Sequence, residues 1–215
     1  MNQGFYLFFL LALLAEIVGT ISGFGSSILF VPLASIFIDF KLVLGITAVF
    51  HVFSNLSKIF LFQKGIDKTI ALKLGIPAVL FVILGAYLTS IIPLKEIELS
   101  MNLIILGLTA FLISGAGKKI KQSNFNLYTG GVISGFLAGL IGTGGAIRGI
   151  TLAAFGLEKD IFIATSALID LVVDSSRAVV YILQGYFTQE HLILIPFLIV
   201  IAILGSYLGK RILAY

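Results

Sequence analysis

His51, Asn55 and Lys58 fall at i, i+4 and i+7 of an apolar run, so they share one helix face. Thr47 and Ser54 extend that face. A second run carries Ser166, Asp170, Asp174, Arg177, Tyr181 and Gln184 as a matching stripe. Cations, an imidazole and carboxylates on one face can hold an anion or pass a proton. The plainer alternative is a satisfied structural network, in which Asp174 and Arg177 neutralise each other at i, i+3.

Two glycine breaks offer a second kind of chemistry. A half-helix starting near Gly25 presents the amides of Ser26, Ser27 and Ile28, and one starting near Gly144 presents those of Gly145, Ala146 and Ile147. A helix N-terminus carries about half a positive charge and several unpaired N–H groups. Two such ends facing each other make an anion site, and the hydroxyls of Ser26, Ser27 and Thr143 add donors. The alternative is close helix packing through small residues, which suits Gly130, Gly131, Gly135 and Gly139 better than the breaks themselves.

Arg148 follows the second break by one turn and can offer a planar fork to an oxyanion. Its alternative is snorkelling to an interface. No acidic residue lies within a turn of it, since Glu158 is ten residues on. Arg148 is therefore expected to be the freer cation and the better anion contact, with Arg177 partly held by Asp174. Glu16, deep in the first run, is expected to pair with Arg148, Arg177 or Lys58, or to carry a proton. Glu16, Asp170 and Asp174 are the proton-coupling candidates. Glu190 and His191 read as solvated loop.

Enzyme chemistry finds little support. The chain has no Cys and two His, so neither a metal site nor another cofactor is expected. Neither Gly-x-x-x-x-Gly-Lys-Ser/Thr nor His-Glu-x-x-His occurs. Gly142-Thr-Gly-Gly145 has no strand or Lys to make it a phosphate loop.

The elements that position these residues are greasy. Of 215 residues, 59% are apolar and 11% charged, against about 45–50% and about 25% in an ordinary soluble domain. Mean hydropathy is +1.15. This predicts an all-α, polytopic transmembrane bundle in a lipid bilayer and excludes a soluble enzyme or a disordered chain. The net charge of +4 does not signal nucleic acid, because the basic residues sit in short loops between apolar runs. The runs are roughly 4–22, 24–38, 41–63, 69–92, 97–116, 126–141, 143–156, 159–184 and 189–213. A span needs about 20 residues, so 24–38 and 143–156 are too short. Each follows another run across a glycine break, which predicts two returning hairpins. Lys64, Lys68 and Lys73, then Lys118, Lys119 and Lys121, then Lys210 and Arg211 then fall on one face, which the positive-inside rule makes cytoplasmic. The N-terminus is placed outside and the C-terminus inside.

The two halves match at an offset of 119: Gly23 with Gly142, Gly25 with Gly144, His51 with Asp170, Asn55 with Asp174, Lys58 with Arg177, Pro77 with Pro196. One residue of slip brings Gly65 onto Gly185 and Gly85-Ala86-Tyr87-Leu88 onto Gly205-Ser206-Tyr207-Leu208. A returning pair plus three spans makes an odd number of crossings. The second repeat therefore starts on the opposite face, an inverted topology. The expected division is 1–116 as membrane repeat one, 117–125 as a cytoplasmic loop and 126–215 as repeat two, which lacks its last helix. Together they form one membrane domain.

Gly19-Thr-Ile-Ser-Gly-Phe-Gly-Ser-Ser-Ile-Leu-Phe-Val-Pro32 and Gly135-Phe-Leu-Ala-Gly-Leu-Ile-Gly-Thr-Gly-Gly-Ala146 resemble the paired glycine-rich motif of the sulfite exporter TauE/SafE family, also called the toluene-sulfonate uptake permeases. Ala164-Thr165-Ser166 looks like its second-half Ala-Thr-Ser, Ile46-Thr47-Ala48 like a drifted first-half copy, and Tyr181-Ile-Leu-Gln-Gly185 like its aromatic-to-Gly helix end. The resemblance covers nearly the whole chain. It implies export or uptake of a small anion, often a sulfur oxyanion or organosulfonate, across a prokaryotic inner membrane. Ser26-Ser27, Arg148, the charged set Asp170, Asp174 and Arg177, and the missing last helix depart from the family pattern. The residues alone leave two other classes open: a membrane scaffold that binds another protein, and a passive anion channel. They also leave a homo-oligomer open.

Overall fold

A computed structural model of the chain describes residues 3–115 and 120–214. Lys118 and Lys119 of the expected basic loop lie outside the described residues. The elements are α1 (Gln3–Ser22), α2 (Ser27–Ala34), α3 (Phe40–Leu61), α4 (Lys68–Leu88), α5 (Leu94–Ile113), α6 (Asn124–Ile141), α7 (Gly145–Ala153), α8 (Lys159–Leu183) and α9 (Ile195–Leu213), the last entered through a 3-10 turn, Gln189–Leu194. There is no strand among the described residues.

Local chemistry sets the helix ends. α1 stops where Gly23 and Gly25 take φ of 71° and 83°, and α6 stops where Gly142 takes 77°; this left-handed region is open to glycine and strained for other residues. The expected breaks are thus real interruptions, and the short α2 and α7 follow them. Elsewhere side chains cap the first turns: Asp39 accepts from the amides of Lys41 and Leu42, Asp67 from that of Ile70, and Ser123 from that of Asn126.

Among the described residues, four helices are long and apolar enough to cross a membrane: Phe40–Leu61, Lys68–Leu88, Leu94–Ile113 and Gln189–Leu213. α8 is also long, at 25 residues, but carries Asp170, Asp174 and Arg177. α3 and α5 mark the extremes of position. The apolar stretch of α3 is 61% buried and that of α5 only 11%, so α3 is central and α5 peripheral. Leu99, Leu103 and Leu106 of α5, with Leu72, Ile76 and Leu80 of α4, face outward. An apolar exterior around a polar centre suits lipid as solvent.

The packing has a regular plan. α1 lies on α9 as α6 lies on α4; α4 touches α8 as α9 touches α3; α2 pairs with α1 and α3 as α7 pairs with α6 and α8. α3 and α8, the two stripe-bearing helices, pack on each other, and α2 meets α7. Backbone meets backbone along the seam between α4 and α6. A methyl added at Gly135 or Gly139 would lie 2.1 Å from the carbonyl oxygen of Ala78 or Val82.

Basic side chains tie helix ends together. Lys64 pairs with Asp160 at 3.3 Å, Lys73 donates to Asn124 at 2.9 Å, Lys159 donates to the Leu213 carbonyl at 2.8 Å, and Lys210 reaches the Leu61 carbonyl. These contacts gather the basic segments at one end of the bundle.

Candidate functional site

The two breaks abut. A Cβ on Gly145 would lie 2.0 Å from the Phe24 carbonyl oxygen, so the backbones are in direct contact there. Ser27 Oγ donates to Thr143 Oγ1 at 3.2 Å. The Arg148 guanidinium sits beside both breaks, 3.3 and 3.6 Å from where methyls on Gly145 and Gly25 would be. The first turns of α2 and α7 therefore converge on one cation.

Around this point lies a cavity of about 20 Å³, room for about one water. It is lined by Gly25, Ser26, Ser27, His51, Asn55, Lys58, Gly144, Gly145, Arg148, Asp170, Asp174 and Arg177. Of the residues singled out from the sequence as substrate contacts, only Thr143 is missing from that lining, and it is held by Ser27 one layer behind. Ala138 and Gly142 complete the wall; Gly142 belongs to the second glycine break, whereas nothing in the sequence pattern marked Ala138.

Three buried ion pairs organise the site. Glu16, fully buried, meets Lys58 at 2.8 Å and also accepts from Thr20, Ser26, Ser54 and Ser206. Among its expected partners Lys58 is the one found. Ser206 was not anticipated, because it comes from α9, where no stripe advertises it.

Asp174 holds Arg177 through Nε at 2.7 Å and accepts from Asn55 Nδ2 at 2.7 Å. A second arm of the guanidinium reaches α6: Nη1 donates to the carbonyls of Gly142 and Ala138 at 3.1 and 3.5 Å. A cation on the last carbonyls of a helix is favoured by the backbone dipole. Tyr181 Oη donates to the neighbouring Gly139 carbonyl at 2.5 Å. Arg177 and Tyr181 thus fasten the end of α6 to α8.

The third pair corrects an expectation. Arg148 is not a free cation: it pairs with Asp170, and its Nε donates to Ser166 Oγ at 2.9 Å. α7 folds back beside α8, which brings together residues 22 positions apart. A search within one helical turn could not see that contact.

His51 links the pairs with a defined polarity. Nδ1 lies 3.0 Å from Arg177 Nη2, and Nε2 lies 2.9 Å from Ser26 Oγ. A guanidinium only donates, so Nδ1 accepts and the ring proton sits on Nε2. Nε2–H then donates to Ser26, whose hydroxyl donates to Glu16 Oε2 at 2.8 Å. With His51 so held, the six formal charges of the three pairs sum to zero. Among the described residues no cluster of His, Asp or Glu could hold a metal ion.

No curated protein and no solved structure matches the chain. A family model does match, described as sulfite exporter TauE/SafE, and it covers residues 8–215. Membership in that family implies membrane transport of sulfite or a related anion. The glycine-broken helices and the apolar exterior agree with that match over nearly the whole length, and the chain belongs to the sulfite exporter TauE/SafE family.

Proposed function

We propose that this protein is a secondary transporter that carries a small oxyanion, such as sulfite or an organosulfonate, across the inner membrane in a proton-coupled cycle. The anion binds between the half-helix N-termini of α2 and α7, against Arg148. The observation that carries this reading is the convergence of Gly25 and Gly145 on the Arg148 guanidinium. Two helix N-termini and one permanent cation form a ready anion site. The paired packing of α1–α4 with α6–α9 supports an inverted repeat around that site. The gathered lysines support a cytoplasmic location for that end of the bundle and for the C-terminus, with the N-terminus outside.

The test is uptake into proteoliposomes from a panel of sulfite, sulfate, thiosulfate, sulfoacetate and carboxylates. One or more sulfur oxyanions should accumulate when a proton gradient is imposed. Arg148→Gln should raise the apparent KM about tenfold to a hundredfold, the scale of one lost charge-assisted contact of about 1.5–3 kcal/mol. Flux indifferent to the proton gradient would favour a passive channel. Wild-type KM in a folded Arg148→Gln protein would remove Arg148 from the site.

A further inference from the structure

The pair Arg148–Asp170 is built differently from the other two. Glu16 is enclosed by four hydroxyls as well as Lys58. Asp174 is held by Asn55 as well as Arg177. Asp170 has Arg148 as its only hydrogen-bond partner among the described residues. Its side chain is 15% exposed, against 8% for Asp174 and 0% for Glu16. Asp170 also lines a second small cavity, of about 10 Å³, that shares Gly25, Asn55 and Lys58 with the central one and is bordered by Gly19 of α1, Gly23 just past it and Ile163 of α8. It is the carboxylate with least holding it, and it borders both cavities.

Two physical constraints then apply to an incoming anion. The central cavity has room for about one water, so a larger oxyanion must displace a group already there. The site is also electrically neutral, and adding one negative charge in a water-poor interior is strongly unfavourable. Both constraints are met by one event. We propose that the transported anion and Asp170 compete for Arg148, and that Asp170 leaves the guanidinium as the neutral carboxylic acid, so that each anion is carried with one proton. This rests on the reading of the chain as an anion transporter and names Asp170, rather than Glu16 or Asp174, as the coupling group.

The balance is simple. One proton from water adds to the Asp170 carboxylate, the Arg148–Asp170 ion pair breaks, and an Arg148–anion pair forms. No covalent bond between heavy atoms changes, and for a singly charged anion, such as sulfite in its hydrogensulfite form, the net charge of the site stays at zero. The charged and titratable groups that face Asp170 are Arg148 from α7, Lys58 and His51 from α3, Asp174 and Arg177 on α8 itself, and Glu16 from α1 behind Lys58. α4 and α6 bring no charge to this depth: Lys68 and Lys73 lie in the first turns of α4, and α6 has no Asp, Glu, Lys or Arg. Raising the pH keeps Asp170 charged on Arg148, so anion affinity should fall.

The experiment is calorimetric titration of the purified full chain in detergent with sulfite, in two buffers of different ionisation enthalpy, which counts protons taken up per anion. Sulfite binds protons itself, so the wild type is compared with Asp170→Asn and Asp170→Ser under the same conditions. The variants should take up about one proton fewer per anion, bind sulfite about tenfold or more tightly because the competitor is gone, and lose the matching part of the pH dependence. An unchanged proton count, or weaker binding by folded variants, overturns the proposal. Should neither variant fold, the wild type still decides: uptake beyond sulfite's own ionisation must be about one proton per anion, and zero overturns it. No sulfite binding by the folded wild type overturns the sulfite reading itself and this proposal with it, an outcome distinct from binding with an unaltered count.

Discussion

Asn55 Nδ2 donates to Asp174 Oδ2 at 2.7 Å, and the two residues stand 119 positions apart. That is the offset at which the halves of the sequence match, so each is the other's counterpart. Under a twofold rotation, counterparts can touch only at the axis. The bond is expected to mark that axis and to hold α3 on α8. Asn55→Leu should cost about 1–3 kcal/mol, the penalty of leaving a buried acceptor unpaired, read as lowered thermal stability in detergent. No loss of stability would mean that the bond does not clamp the two helices.

Arg177 should behave as a structural cation, unlike Arg148. It is 1% exposed and its contacts run to Asp174, His51 and the end of α6. Arg177→Gln strands a buried carboxylate and should destabilise by about 3–5 kcal/mol. Adding Asp174→Asn should recover part of that loss, measured as the unfolding midpoint of the single and double variants. An Arg177→Gln protein as stable as wild type would contradict the clamp.

Orientation is open to chemical labelling, because the native chain has no Cys. Gln63→Cys and Gln122→Cys lie at the exposed basic end. They should resist a membrane-impermeant thiol reagent applied outside intact cells, while Lys95→Cys at the other end should react. The reverse pattern would invert the topology.

The α4–α6 seam predicts a contrast between two Gly→Ala changes. Gly135→Ala forces a methyl to 2.1 Å from the Ala78 carbonyl oxygen, whereas Gly107 on α5 has nothing within 4 Å. Gly135→Ala should cost about 1–3 kcal/mol of overpacking. Gly107→Ala should be neutral or gain up to about 1 kcal/mol in helix propensity. Equal melting curves for the two would mean the seam is looser than its geometry.

What the sequence revealed follows the range of its signals. Helical periodicity put His51, Asn55 and Lys58 on one face and Asp170, Asp174 and Arg177 on another, and both faces line the cavity. Glycine at 23, 25 and 142 announced the breaks, because those positions need backbone angles other residues avoid. The pairing of Arg148 with Asp170 was hidden: it depends on how far α7 folds back, which no local pattern records. Ser54 and Ser206 on Glu16 were hidden for the same reason, since a serine on an apolar helix looks alike whether it faces a carboxylate, a neighbouring backbone or lipid.

The backbone seam between α4 and α6 also bears on which parts of the bundle can move. Contacts made by carbonyls and Cα atoms have no rotamers to freeze, whereas each long side chain ordered elsewhere loses up to about 2 kcal/mol of freedom. They gain instead from close approach and from weak Cα–H···O contacts. Such a joint also tolerates one register only. Sliding α6 by a single residue would drive Phe136 into the space that Gly135 leaves against Ala78. α4 and α6 therefore form a fixed rail, and the register freedom that a backbone joint denies them is left to the elements around the cavity, α2, α7 and α8.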